Sequence, residues 1–294
     1  MRRFFYAVND QNEDKGQSVT VKRSALHKIP IGSSIELTPG IAHHWCRVLR
    51  ANLGDHGILF DGFGGEYQVQ LQTIGKKHAT AVLLAHDSDD RTPAIRTKIG
   101  LVMSRGERMD YAIQKATELG VTAIQLLSSH HGEVNLKPAQ IDKKLLHWQQ
   151  VALSACEQCG LNRPPLILSP LSIEAWLQQE VSESIELNKA ISSIVAPLSF
   201  DPYYQILNMQ ADLRIQMNVP AADQPIRPKM LTEVLAQDNP YIELLIGPEG
   251  GLSHDERQLA ENYGFLAWQI GNRVLRTETA PVVALATLYA LGDG

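Results

Sequence analysis

The chain contains only three cysteines, Cys46, Cys156 and Cys159. An odd, low count without an export signal excludes a disulfide scaffold and points to a reducing cytoplasm. No apolar run approaches the roughly 20 residues that a membrane-spanning helix requires, so no membrane partner is expected. The opening stretch starts basic at Arg2 and Arg3 and turns apolar at Phe4, but Asn9 and Asp10 end it too early for a signal peptide; it reads as a first strand. There is no Walker A ending, no G-x-G-x-x-G turn, no internal repeat and no low-complexity tract. Cys156-Glu-Gln-Cys159 stands alone, without the second pair or spaced histidines that a zinc site requires, so no metal is expected.

An excess of positive charge is also lacking. The net charge is −5, against indiscriminate coating of nucleic acid. Its distribution is uneven: residues 1–80 hold ten Lys/Arg and seven Asp/Glu, the remainder 17 and 25. A mildly basic leading segment on an acidic body fits a local RNA-contacting module, and chance fits as well.

What is present divides into two patterns. Residues 1–85 contain short alternating runs at 34–37, 57–60, 67–71 and 80–84, separated by Gly, Pro and Asp turns. Period-two runs of that kind predict a small β-rich domain, with a helix over 42–50. Residues 86–92 read as a polar linker. From 92 to 294, strands and helices alternate, which predicts an α/β domain with a mainly parallel sheet. Strands are expected at 98–103, 123–127, 166–168, 213–217, 241–246 and 266–270. Helices are expected at 107–119, 138–159, 173–180 and 253–263, followed by a last apolar helix with Pro281 near its start. Ser253 and Glu256 have capping-box spacing. Residues 181–212 have no firm period and read as an insertion.

Two loops carry the strongest chemical signal. In the first, a buried strand runs into Ile246-Gly-Pro-Glu-Gly-Gly-Leu252, whose glycines let backbone amides approach a ligand. In the second, Gly271, Arg273 and Arg276 precede Thr277, Glu278 and Thr279 at a helix N-terminus. Thr277 or Thr279 is a natural N-cap, and the arginines suit an anionic group. Weaker candidates are His130 and His131, which suit either substrate contact or plain surface. Arg47 and Arg50, one helical turn apart, suit either a solvated face or an RNA phosphate.

Several segments resemble one family when taken in order. They include His44 with Arg47-Val-Leu-Arg50, Phe60-Asp-Gly-Phe-Gly-Gly-Glu-Tyr67, Met103-Ser-Arg-Gly-Glu-Arg-Met-Asp110 and Ile113-Gln-Lys-Ala-Thr-Glu-Leu-Gly-Val121. Ala155-Cys-Glu-Gln-Cys-Gly-Leu-Asn-Arg163, Leu245-Ile-Gly-Pro-Glu-Gly-Gly-Leu252 and Arg273-Val-Leu-Arg-Thr-Glu-Thr279 complete the set. Together they resemble the RsmE family, bacterial methyltransferases of 16S ribosomal RNA, across nearly the whole chain outside 181–212.

The resemblance implies a PUA-like β-barrel over 1–85 that helps bind RNA. It also implies a SPOUT methyltransferase domain over 92–294 with a trefoil knot, a departure from ordinary chain connections. It further implies a homodimer, S-adenosylmethionine as cofactor, and methylation of uridine N3 in the 16S rRNA of the small ribosomal subunit. Under that reading Met217, Ile246, Gly247, Gly251, Ile270, Gly271, Leu275, Thr277, Thr279 and Ala280 hold the cofactor. Arg276 stabilises developing negative charge, and Glu249 serves as base or orients Arg276. Arg47, Arg50, Arg105 and Arg163 contact RNA. The chain departs from relatives at Ser129-His130-His131, where they carry Ser-Glu-Arg, and at Met217-Asn-Val-Pro-Ala221, where they tend to show histidine or glutamate before the proline. Two rival functions are a knotted methyltransferase of transfer RNA and a non-catalytic RNA-binding assembly factor.

Overall fold

The computed structural model describes residues 2–7, 25–76, 78–179, 187–219 and 228–292. It divides into two compact units. The first comprises residues 1–92 with 156–164 and 193–201; the second comprises 93–155, 165–192 and 202–294.

In the first unit, β1 (Arg2–Phe5), β2 (Ser34–Glu36), β3 (His56–Phe60), β4 (Glu66–Ile74) and β5 (Ala79–Asp87) form one sheet in the order β1-β3-β4-β5-β2. Only the β1–β3 pair is parallel. The alternation read from sequence places Leu59, Tyr67, Val69, Leu71 and Leu83 in one core, which Trp45 and Ile41 close. The helix expected over 42–50 starts earlier. Thr38 Oγ1 accepts from Ile41 N at 3.2 Å and caps α1 (Pro39–Ala42). The chain then widens into a π-helical segment, His43–Val48. Pro39, harmless in a first turn, allows the early start.

Residues 156–164 and 193–201 join this unit through specific polar ties. Arg3 Nη2 donates to the carbonyls of Gly160 and Leu161, and Phe5 N donates to Glu157 at 2.9 Å. The stretch at 193–201 carries a 3₁₀ turn, Ala196–Phe200.

The second unit is built on β6 (Arg96–Val102), β7 (Ala123–Ser128), β8 (Leu166–Ser172), β9 (Leu213–Met217), β10 (Tyr241–Ile246) and β11 (Phe265–Trp268). Their order is β11-β9-β10-β6-β7-β8, and every pair is parallel. A parallel sheet is covered on both faces, so its strands read as continuous apolar runs. Ile242, Leu244 and Ile246 face one core with α2 (Glu107–Glu118), α3 (Pro138–Cys159), α7 (Leu231–Leu235) and α9 (Ala280–Gly292). Leu245, Val102 and Leu127 face the other, with α4 (Ile173–Leu177) and α8 (His254–Asn262).

Most elements lie where periodicity put them, with differences at the ends. The strand expected at 166–168 continues to Ser172. The helix expected at 173–180 ends as α4 at Leu177. The last strand begins and ends slightly before 266–270. Within 181–212 the described residues hold α5 (Leu187–Ala190), α6 (Pro202–Gln205) and a 3₁₀ turn, Ile206–Asn208. Residues 180–186 lie outside the described ones.

Candidate functional site

Because the six strands are parallel, the loops leaving β9, β10 and β11 open at one edge of the sheet, where such sheets take ligands. They enclose a cavity of about 230 Å³. Met217 and Asn218 enter it from β9, and Ile246, Gly247, Gly251 and Leu252 from the loop after β10. Ile270, Arg273, Leu275, Thr277 and Ala280 enter it from the loop after β11. Eight of the ten cofactor residues expected from sequence therefore line one cavity. Gly271 and Thr279 do not line it.

Local chemistry shapes the walls. Gly251 N donates to Pro248 O at 2.8 Å, closing a tight turn. Gly251 sits at φ +72°, a region that only glycine enters freely. A Cβ on Gly247 would stand 3.0 Å from the Leu252 side chain, closer than an ordinary contact, so Leu252 would have to shift to admit one. The turn ends in the expected capping box: Glu256 N donates to Ser253 Oγ at 3.2 Å, and Ser253 N donates to Glu256 Oε2 at 2.8 Å. Of the two threonines read as alternatives for the N-cap, Thr277 makes a different bond. Its hydroxyl donates to Gly247 O at 3.4 Å, joining the two loops. Thr279 instead directly precedes α9 and accompanies Arg276 and Glu278 in a neighbouring groove.

The two residues expected to carry the chemistry each pair with another side chain. Glu249 was expected to act as base or to orient Arg276. Its carboxylate accepts from Arg108 Nη1 at 2.6 Å. The tight turn at 248–251 carries Glu249 toward α2, which supplies Arg108. Arg276 lies 3.9 Å from Glu278 and keeps 72% of its side chain exposed. Glu278 is nearly covered, and its Oε2 has no hydrogen-bond partner.

Sequence reasoning missed a residue of the cavity. Asn218 lines it, and its Oδ1 is buried without a partner. The only signal for it was its place one residue beyond β9. The turn at Ser129–Gly132, whose histidines the sequence singled out, lies outside the cavity lining but against its loop: His130 N donates to Glu256 Oε1 at 2.8 Å, and the His131 ring lies 3.2 Å from Gly251 O.

The four arginines expected to contact RNA differ in their surroundings. Arg47 and Arg50 are exposed in the first unit, Arg47 donating weakly to Gly75 O. Arg105, also exposed, pairs with Glu133 at 3.5 Å. Arg163 is different. It pairs with Asp90 and Asp201 and donates to the Phe63 and Gly62 carbonyls, with 13% of its side chain exposed. Those bonds make it a tie within the first unit, which leaves little of it for RNA. Cys156 is buried and Cys159 exposed. Burial pushes the Cys156 thiol well above its ordinary range, away from the thiolate that a metal binds. Among the described residues no cluster of histidine, cysteine and carboxylate is suited to a metal, and no helix is long and apolar enough to cross a membrane.

Residues 91–289 match the family model for an RNA methyltransferase domain, and residues 37–84 match that for an RNA methyltransferase PUA domain. The chain is 30% identical over 261 residues to the ribosomal RNA small subunit methyltransferase E of Synechocystis, covering 89% of this chain and 74% of that one. It is 26% identical to the protein of the same name from Buchnera aphidicola of Acyrthosiphon pisum, covering 94% and 98%. Among solved structures it resembles a ribosomal RNA small subunit methyltransferase E from Neisseria gonorrhoeae bound to S-adenosylmethionine. There the identity is 28%, coverage is 99% and 98%, and the TM-score is 0.73. A Legionella pneumophila methyltransferase in complex with the same cofactor gives 25% identity, coverage of 98% and 96%, and a TM-score of 0.73.

Proposed function

The chain belongs to the ribosomal RNA small subunit methyltransferase E family of RNA methyltransferases, and from that premise we propose that it uses S-adenosylmethionine to methylate N3 of a uridine in 16S rRNA. The observation that carries the reading is the cavity where the loops after β9, β10 and β11 meet. Its walls fit the cofactor. Ile246, Leu252, Ile270 and Leu275 offer apolar surface for an adenosine, and the unpartnered Asn218 Oδ1 offers an acceptor to an amino group. Met217, Gly247, Gly251, Thr277 and Ala280 complete the proposed binding set within the lining, and Gly271 and Thr279, outside it, are proposed to assist from beside the cavity.

When bound, S-adenosylmethionine supplies a methyl carbon on a sulfonium, open to in-line displacement. The chain holds the reacting groups in line and excludes water. N3 of uracil carries a proton, so the site must accept that proton or stabilise the resulting anion. Arg276, exposed beside the cavity loop, supplies positive charge to the uracil oxygen where charge develops. Glu249 is the proposed proton acceptor, and its pairing with Arg108 holds it in place. N3 is occupied in a paired uridine, so the target must be unpaired or flipped. Arg47, Arg50 and Arg105 are proposed to meet phosphates. The same reading makes the protein a cytoplasmic homodimer whose C-terminal part threads a trefoil knot.

The test is methyl transfer from labelled S-adenosylmethionine to small ribosomal subunits, their rRNA and transfer RNA, with mass spectrometry locating the methyl group. Label at N3 of one 16S uridine is expected. Label only in transfer RNA would reassign the substrate. Absence of S-adenosylmethionine binding by calorimetry would favour a non-catalytic assembly factor.

A further inference from the structure

The loop at 247–251 contains three glycines, and glycine backbones lose the most freedom when a ligand orders them. All three line the cavity, and two of them, Gly250 and Gly251, are held from outside by the turn at Ser129–Gly132. Gly132 N donates to Ser129 O at 3.0 Å and closes that turn. Glu256 then fastens it. One carboxylate oxygen accepts from Ser253 N and the other from His130 N, both at 2.8 Å. The adjacent His131 ring reaches Gly251 O at 3.2 Å. A carbonyl can only accept, so Nδ1 of His131 carries the proton and donates. The His131 Cβ also lies 3.7 Å from where a Cβ on Gly250 would stand, an ordinary packing contact against the glycine pair.

We propose that His131 is a positioning residue for the cofactor loop: its Nδ1–H fixes the Gly251 carbonyl and thereby sets the cavity wall before ligand arrives. A wall already ordered spares the ligand that cost, so the benefit falls on cofactor affinity. His131 is exposed, and its loss removes little packing from the core. The inference rests on the cavity being the S-adenosylmethionine site.

The experiment compares wild-type protein with His131→Ala and His131→Asn. The asparagine amide nitrogen hangs from Cγ as Nδ1 does and can donate to the same carbonyl. Each protein is titrated with S-adenosylmethionine by calorimetry, melted by scanning calorimetry, and assayed for KM of cofactor and of RNA. His131→Ala is expected to raise Kd and KM for the cofactor about three- to tenfold, the worth of one neutral hydrogen bond. RNA KM and Tm stay unchanged, and His131→Asn recovers most of the affinity. Wild-type cofactor affinity in His131→Ala overturns the proposal. So does equal loss in His131→Asn, or loss accompanied by a lowered Tm. If wild-type protein itself fails to bind S-adenosylmethionine, the functional reading fails instead, which is a separate result.

Discussion

Thr277 Oγ1 donates to the carbonyl of Gly247 at 3.4 Å, so the loops after β10 and β11 are tied directly to one another. Thr277 is buried, so its hydroxyl has this carbonyl in place of water. Thr277→Val keeps the shape and deletes the bond, at a cost of about 1 kcal/mol. S-adenosylmethionine affinity is expected to fall severalfold by calorimetry, with Thr277→Ser near wild type. Equal affinity in Thr277→Val would show that the tie does not shape the site.

The two glycines at the tip of the loop should respond differently. Gly251 sits at φ +72°, and alanine there is strained by roughly 1–2 kcal/mol although the space is adequate, with Val219 Cγ2 3.4 Å away. Gly250 has no positive φ, and its nearest neighbour stands 3.7 Å away. Gly251→Ala is expected to weaken cofactor binding clearly, and Gly250→Ala only slightly. The reverse order would contradict the loop geometry.

Arg276→Ala should lower kcat about a hundredfold or more, as loss of a charge-stabilising donor does. Cofactor affinity should hold, because Arg276 lies outside the cavity lining. Single-turnover kinetics beside calorimetry separates the two effects. Undiminished turnover rules the arginine out of the chemistry.

Glu243 organises a buried charge cluster in the sheet. It accepts from Arg214 at 2.9 Å and from the Tyr241 hydroxyl at 3.1 Å, and pairs with Lys98 at 3.4 Å. Burial, with Glu243 beside it, pushes the Tyr241 phenol well above its usual range. Glu243→Ala leaves the buried Lys98 without its partner, an arrangement that costs about 3–5 kcal/mol. A large drop in denaturant midpoint is expected, whereas an unchanged midpoint would mean that the cluster relaxes freely.

Glu66 in the first unit gives a pH signature. Burial alone would raise its carboxyl, but hydrogen bonds and charge from Arg91 and Arg3 outweigh burial and hold it below its ordinary 4.5. A folded value below the unfolded one means that the stabilisation is complete above about pH 4.5 and is lost as pH falls through the lower folded value. Glu66→Gln should flatten that acid limb in a series of thermal melts. An identical acid limb would place the effect elsewhere.

Sequence by itself determined what depends on neighbours along the chain. The 3.6-residue periodicity located α2 and α3, and Ser253 with Glu256 announced the cap of α8. Glycines after a buried strand singled out 246–252 as a candidate ligand loop, because backbone freedom is a local property. Tertiary structure alone decided which distant groups meet. Arg108 and Glu249 are 141 residues apart, and no local pattern couples them. Nor could a pattern show that Thr277 bonds Gly247 rather than capping a helix, that Arg163 is consumed by Asp90 and Asp201, or that Asn218 joins the cavity. The sheet order β11-β9-β10-β6-β7-β8 brings those loops to one edge. Strand order is set by how both apolar faces are covered at once, and that is a property of the whole packed unit.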